Sequence, residues 1–216
     1  MEEKLKTNII HPWEPWVFLL GQLSLFVVLF LAVLIISFIN PAIPGGFIAA
    51  HTNQFALLLI ILMLISQYGM FSFSEFLPRG KDYAILAIGL IIKFWTFGLL
   101  VGKEGIKADP GLIALTGFQY GFEVATLILI GPLLEEIFLR RYFYEMLATL
   151  YSREMSVGLT VCISSLLHWH TAFTWIEFFW HLFSALIFTI AYLMSRLGVS
   201  VFLHSFNNFL AFVLSR

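Results

Sequence analysis

Seven apolar stretches, each close to the length that crosses a lipid bilayer, make up most of this sequence. A helix of about 20 mostly apolar residues spans the hydrocarbon core of a membrane. The stretches lie at residues 16–39, 54–73, 83–101, 122–147, 156–172, 175–195 and 198–214. Because backbone groups in lipid must hydrogen-bond within the protein, the pattern predicts an all-α, polytopic transmembrane bundle of about seven spans. We expect residues 1–216 to form a single transmembrane domain.

The composition agrees with a membrane protein. The 216 residues are 60% hydrophobic and 12% charged, whereas soluble domains contain about 25% charged residues. The net charge of −1 argues against nucleic-acid binding, which requires a basic face. Cys162 is the only cysteine, which excludes an internal disulfide, and we expect it to be a small buried residue.

The positions of lysine and arginine predict the orientation. If the N-terminus is inside, six basic residues lie inside and three outside, which favours a cytoplasmic N-terminus. The inside set is Lys4, Lys6, Arg79, Lys81, Arg153 and Arg196, and the outside set is Lys103, Lys107 and Arg216. The compact length and sparse loops are typical of bacteria. We therefore predict a multi-pass integral membrane protein of the bacterial cytoplasmic membrane.

Two adjacent acids and a base within the fourth stretch indicate chemistry. Glu135 and Glu136 are followed by Arg140, and ionisable groups inside a membrane cost several kcal/mol each. Glu136 and Arg140 are four residues apart, so they share a helix face and can pair, while Glu135 points elsewhere. We infer that Arg140 neutralises Glu136 and leaves Glu135 to act as a general base. The structural alternative is a buried ion pair with a spare acid that lines a polar gap.

Other polar features of the helices bear on the same pocket. Pro132 removes one helix hydrogen bond, predicting a kink before the acids and a carbonyl at Ile128 that needs another partner. Such a carbonyl is tolerated beside a water-accessible cavity. Lys93 either reaches the membrane interface or faces the bundle interior. Glu177 and His181 either line the cavity or hydrogen-bond each other.

Histidines in the fifth and seventh stretches are the candidate partners of the acids. His168 and His170 lie on opposite sides of a helix, and we expect the deeper His168 to face the acids. His204 and Asn208 share a face and can donate two hydrogen bonds to one point, as an oxyanion hole requires, whereas Asn207 is rotated away. A polar contact between membrane helices is the alternative for the pair at 204 and 208.

These three blocks, in this order, resemble the CAAX protease and bacteriocin-processing (CPBP, or Abi) family of intramembrane proteases. The family pattern is Glu-Glu-x-x-x-Arg, then Phe-x-x-x-His, then His-x-x-x-Asn. The first and third blocks match fully, while Ser164 replaces the phenylalanine that should precede His168. The resemblance covers about residues 120–212, and residues 1–110 match only in being membrane helices.

The resemblance implies a site buried between helices four, five and seven. In the family, the first glutamate and the middle histidine activate a water, and the last histidine and asparagine hold the oxyanion. The implied catalytic residues are Glu135, His168, His204 and Asn208, with Glu136 and Arg140 in support. A metal-independent glutamate mechanism is preferred, so no cofactor is expected, and a zinc ion held by a glutamate and two histidines is the alternative.

The implied function is an intramembrane endopeptidase that hydrolyses a peptide bond near a membrane-embedded or lipid-anchored C-terminal segment. Its expected partners are the lipid bilayer and a protein or peptide substrate with an apolar or lipidated C-terminal tail. The main alternative is a non-catalytic membrane binding or immunity protein that uses the same polar cavity. A small transporter is a further alternative, but transporters are built from internal repeats and the two halves show none.

Overall fold

Seven long helices account for most of residues 11–39, 45–104, 117–168 and 175–214, which are the residues that the computed structural model describes. They are α1 (Glu14–Ile39), α2 (Gly45–Tyr68), α3 (Asp82–Glu104), α4 (residues 117–150), α5 (Arg153–Leu166), α6 (Trp175–Met194) and α7 (Leu197–Leu214). A 3₁₀ turn, Phe73–Glu75, lies between α2 and α3. The predicted all-α bundle is confirmed within these ranges, which contain no strand.

Three helices in the described part of the chain are long and apolar enough to cross a membrane. Their apolar windows are Glu14–Leu31 in α1, His51–Tyr68 in α2 and Trp175–Met194 in α6. A shorter apolar window, Leu197–Val213, lies in α7. The crossings by the remaining helices and the cytoplasmic N-terminus stay predictions.

Helix α4 alternates between α and π winding. Its segments are Gly117–Ala125 (α), Thr126–Ile130 (π), Gly131–Glu136 (α), Ile137–Tyr144 (π) and Glu145–Leu150 (α). The Gly131 N–H donates to the carbonyl of Thr126, five residues earlier. In the same register, the donor for Leu127 would be Pro132, which has no N–H. The wider winding therefore moves the freed carbonyl from the expected Ile128 to Leu127.

The buried centre of the bundle lies between α4 and α2. Side chains of both helices form one apolar cluster, which includes Leu57, Ile60, Ile61 and Leu64 of α2 and Phe138, Leu139, Tyr142 and Phe143 of α4. Helix α1 joins this cluster through Trp16, whose ring meets the Phe143 ring edge-on at 5.8 Å. Since close packing drives association of membrane helices, these contacts hold α1 and α2 against the helix that carries the acids.

Ion pairs at one end of the bundle bring the loop after α2 next to the turn between α6 and α7. Arg196 lies 3.1 Å from Asp82 and donates to the Ser74 carbonyl at 2.8 Å. Arg141 lies 3.0 Å from Glu75. The loop that contains Arg79 therefore lies beside Arg196. Both of these arginines belong to the set that the sequence predicts to lie on the inner side of the membrane. Lys4, Lys6, Lys107, Arg216 and His170 lie outside the described residues.

The structure shows the environment of Lys93, which the sequence left open, and of Cys162, which the sequence predicted incorrectly. Lys93 is fully buried, with its Nζ on the hydroxyl of Ser184 and 4.4 Å from the centre of the Trp180 ring. The sequence predicted that Cys162 is a small buried residue, and this prediction was wrong: Cys162 is exposed. The buried face of α5 is formed by Ser156, Thr160 and Ser164 at four-residue spacing, so Cys162 falls on the opposite face.

Candidate active site

Glu136 is the centre of a fully buried polar network. Its Oε1 lies 3.1 Å from Arg140 Nη1 and 2.8 Å from His204 Nδ1, and the Ser200 hydroxyl donates to its Oε2. Neither Glu136 nor Arg140 is exposed at all. The predicted pairing of these two residues is confirmed. A buried charge is tolerated only where it is paired and hydrogen-bonded, and Glu136 meets both conditions.

Glu135 lies beside this network and faces two imidazoles. Its Oε2 is 3.8 Å from His168 Nε2 and 3.8 Å from His204 Nε2. This oxygen is buried and receives no hydrogen bond from the described residues. A separation of this size is too long for a direct hydrogen bond and suits one bridging water. Helices α4 and α7 and the residues after α5 therefore converge as the sequence predicted, while their catalytic roles stay a prediction.

His168 is oriented by its own backbone and by a second histidine. Its Nδ1 lies 2.8 Å from the carbonyl of Ser164. Because a carbonyl only accepts, Nδ1 carries the proton and Nε2 faces Glu135. The ring stacks on that of His181 in α6, with centroids 4.4 Å apart. His181 thus gives His168 an aromatic neighbour from another helix, whereas Ser164 occupies the family's phenylalanine position.

His204 connects the two acids. The side chain is 8% exposed; Nδ1 points at Glu136, and Nε2 points at Glu135. The Phe188 ring of α6 stacks on the imidazole, with centroids 4.7 Å apart and planes inclined by 18°. A hydrogen bond at one ring nitrogen fixes the orientation of the imidazole, and with it the direction in which the other nitrogen points. The buried carboxylate therefore holds His204 with Nε2 toward Glu135.

Both asparagines of α7 line the site, which corrects the expectation for Asn207. Asn207 is 8% exposed, and its amide donates to Asn208 Oδ1 at 3.3 Å. Residues three apart share a helix face as residues four apart do, so Asn207 lies on the side of His204. The Asn208 amide donates to the Leu127 carbonyl at 3.0 Å. That carbonyl is the acceptor freed by the π winding of α4.

A cavity of about 320 Å³ lies among α4, α5, α6 and α7. The polar side chains that line it are those of Glu135, Ser164, His168, His181, Ser184, His204, Asn207 and Asn208. We call this the site cavity. Its size admits several atoms of a peptide together with water, and its lining combines carboxylate, imidazole and amide groups at one point.

Sequence reasoning missed four of the residues that support the site. Ser200 lies one helical turn before His204, and this spacing was the signal for it. On α6, Ser184, Ala185 and Phe188 follow His181 at intervals of three, four and seven residues, the spacing of one helix face. His181 was named only as a weaker candidate, and Glu177, four residues before it, is exposed.

The donors around Glu135 do not fit a zinc ion as they stand. Ligands at about 2.0–2.1 Å from a tetrahedral zinc lie about 3.3–3.4 Å from one another, whereas Glu135 Oε2 is 3.8 Å from each imidazole Nε2. No group of three or more His, Cys, Asp or Glu side chains within the described ranges has a geometry that could hold a metal. The choice between glutamate and zinc chemistry stays a prediction.

Residues 117–210 match a family model described as type II CAAX prenyl endopeptidase Rce1-like. Over these residues the chain is similar to the CAAX protease family, which agrees with the resemblance of the three sequence blocks. The matched segment runs from α4 into α7 and contains the two acids, the two histidines and both asparagines. No curated protein and no solved structure matches the chain. The match to a CAAX protease family model, together with helices able to span a bilayer, indicates an integral membrane protease.

Proposed function

We propose that this protein is a glutamate-type intramembrane endopeptidase of the CAAX protease family. It hydrolyses a peptide bond near an apolar or lipid-anchored C-terminal segment of a protein substrate. One observation carries the proposal: a buried carboxylate oxygen of Glu135, without a hydrogen-bond donor among the described residues, lies 3.8 Å from each of two imidazole nitrogens. This is an arrangement that positions and deprotonates a water.

Glu135 and His168 are the water-activating pair. The Ser164 carbonyl accepts from Nδ1 of His168, so Nε2 accepts one hydrogen bond from the water while Glu135 accepts the other. As the water oxygen attacks the peptide carbonyl carbon, its proton passes to Glu135. When the C–N bond breaks, Glu135 returns this proton to the leaving amine, so the base of the first step is the acid of the second.

His204 and Asn208 stabilise the negative charge that develops on the carbonyl oxygen. Since His204 Nδ1 faces Glu136, Nε2 donates when the ring carries both protons, and the Glu136 carboxylate stabilises that imidazolium. The Asn208 amide has two N–H groups, of which one is used on Leu127 and the other is available to the oxyanion. Preorganised donors of this kind are worth about 10²–10³ in rate each.

Two substrate classes are compatible with this site. The family description names prenylated CAAX tails. The compact, loop-poor chain favours an apolar or lipid-anchored sorting tail of a bacterial surface protein. Both present a cleavable bond next to a segment held in the membrane, which suits a cavity placed among helices.

The test uses two fluorogenic peptides in proteoliposomes, one farnesylated at a CAAX cysteine and one with an unmodified apolar C-terminal segment. We expect the wild-type protein to cleave at least one of them, and Glu135→Gln to lower kcat by about 10²–10⁴, the range for loss of a general base. Glu75→Gln is the matched control, because Glu75 lies in an ion pair with Arg141 and does not line the site cavity. Undiminished cleavage by Glu135→Gln, or cleavage of neither peptide by folded wild-type protein, overturns the proposal. Binding of a peptide without cleavage points to the non-catalytic alternative.

A further inference from the structure

A second cavity adjoins the site on the side formed by α1 and α2. It has a volume of about 330 Å³, and we call it the α1–α2 cavity. Its walls include Gln22 and Phe26 of α1 and Asn53 of α2. Glu135 and His168 line it too, and among the described residues they alone line both cavities. The water-activating pair therefore lies at the junction of two separate spaces.

One polar feature of the α1–α2 cavity is unsatisfied. Gln22 is 2% exposed, and its Nε2 donates to Asn53 Oδ1 at 2.8 Å. Its Oε1 is buried and receives no hydrogen bond from any residue that the structure describes. A buried acceptor without a donor is costly, and native proteins rarely keep one without a reason. A backbone N–H of a peptide is a donor of the kind that this oxygen lacks.

The rest of the lining suits apolar side chains. Phe26, Leu57 and Phe138 form much of the wall. An extended peptide presents backbone N–H groups together with side chains that alternate in direction. A cavity with one amide acceptor and aromatic and aliphatic walls matches a peptide segment better than it matches a charged ligand.

We propose that the α1–α2 cavity binds one flank of the substrate, as an extended apolar peptide segment whose backbone N–H donates to Gln22 Oε1. The inference rests on the proposed function, because it assumes that the scissile bond lies at Glu135 and His168. A substrate peptide whose scissile bond lies at Glu135 and His168 would extend into the site cavity on one side of the bond and into the α1–α2 cavity on the other. Helices α1 and α2 lie outside the family match at residues 117–210, so this part of the chain contributes specificity to a shared catalytic segment.

Disulfide cross-linking tests the occupant without requiring catalysis. The background carries Glu135→Gln and Cys162→Ser, which removes the only native thiol. Phe26→Cys is compared with Val28→Cys, a matched position on α1 that is 62% exposed. Each of the two peptides described above carries one cysteine with a free thiol, moved in steps along the tail; in the CAAX peptide it is additional to the farnesylated cysteine. We expect Phe26→Cys to cross-link several-fold more than Val28→Cys, and only with cysteines on one side of the bond. The inference is overturned if Phe26→Cys and Val28→Cys give equal cross-linking yields, or if the yield does not depend on where the cysteine lies in the peptide.

Kinetics separates peptide binding from a purely structural contact between α1 and α2. Gln22→Leu removes the buried acceptor, whereas Asn53→Leu breaks the contact between the helices but leaves that acceptor in place. We expect Gln22→Leu to raise KM by about two- to tenfold with kcat little changed, the effect of one lost hydrogen bond. Asn53→Leu should raise KM less. An unchanged KM in Gln22→Leu, or equal effects of the two variants on KM and on the unfolding temperature, overturns the inference.

The two proposals fail in different ways. If the proposed function is wrong, Glu135→Gln cleaves as fast as the wild-type protein, or the folded wild-type protein cleaves neither peptide. If the role of the α1–α2 cavity is wrong, Glu135→Gln is inactive, but Phe26→Cys cross-links no better than Val28→Cys.

Discussion

The Glu136 carboxylate lies between His204 and Arg140, 2.8 Å from the imidazole Nδ1 and 3.1 Å from the guanidinium. These contacts connect α4 to α7 at full burial. They also turn the other imidazole nitrogen toward Glu135. The position of a proposed catalytic histidine thus depends on an acid that itself faces away from the site cavity.

Glu136→Gln is expected to reduce both stability and activity. Removing one partner of a buried ion pair leaves an uncompensated charge, here on Arg140, at a cost of about 3–5 kcal/mol. Thermal unfolding in detergent measures the stability, and peptide cleavage measures kcat. Glu75→Gln breaks an ion pair whose acid is 27% exposed and whose arginine is 7% exposed. It should cost less than Glu136→Gln, because this pair is only partly desolvated. Equal losses in the two variants would contradict the role given to Glu136.

His168→Gln and His170→Gln are expected to differ. The ring nitrogen of His168 lies 3.8 Å from Glu135. Glutamine at 168 replaces the rigid, basic imidazole that orients the water with a flexible amide that is hardly basic, so kcat falls by about 10²-fold or more. His170→Gln should keep most of the activity, because the position facing Glu135 is filled by His168. Cleavage rates of the two variants at saturating peptide check this. The reverse pattern would transfer the role to His170.

The sequence predicted most of the helices and the pairing within one helix. Apolar length located the seven helices, and four-residue spacing found the pair Glu136 and Arg140. The same spacing rule, counted from His204, finds Asn207 three residues later and Ser200 four residues earlier. These positions follow from local geometry, since neighbours on a helix face are fixed by its period.

Spacing along one helix does not predict the contacts between different helices. Nothing near His204 in the sequence indicates that Phe188 stacks on it, because helix rotation and tilt are set by packing. The π winding before Pro132 was also unforeseen. A proline reveals a missing N–H, but the register that decides which carbonyl loses its donor depends on the surrounding structure, here on Asn208 donating to Leu127.

Gly198→Ala is expected to displace the start of α7. A Cβ at this position would overlap the backbone carbonyl of Phe76, and overpacking of this kind costs about 1–3 kcal/mol. Because α7 carries His204, the unfolding temperature and kcat should both fall. Gly158→Ala is the matched control. Apart from its chain neighbours and its own helix backbone, no atom of the described residues lies within 4 Å of its added Cβ, and alanine there gains up to about 1 kcal/mol in helix propensity. A Gly198→Ala protein as stable as the control would show that α7 does not approach Phe76 this closely.

Removal of metal ions is expected to leave peptide cleavage unchanged. The 3.8 Å separations between Glu135 and the two imidazoles exceed the donor spacing of a tetrahedral zinc site, and the proposed steps need only a water and protein groups. The measurement compares kcat/KM of protein purified with and without prolonged treatment with a strong chelator, with metal content determined for both. A loss of activity that follows the loss of zinc, and its recovery on adding zinc back, would replace the glutamate mechanism with a metal-dependent one. Recovery with any divalent cation, accompanied by a recovered unfolding temperature, would instead indicate an ion that stabilises the fold.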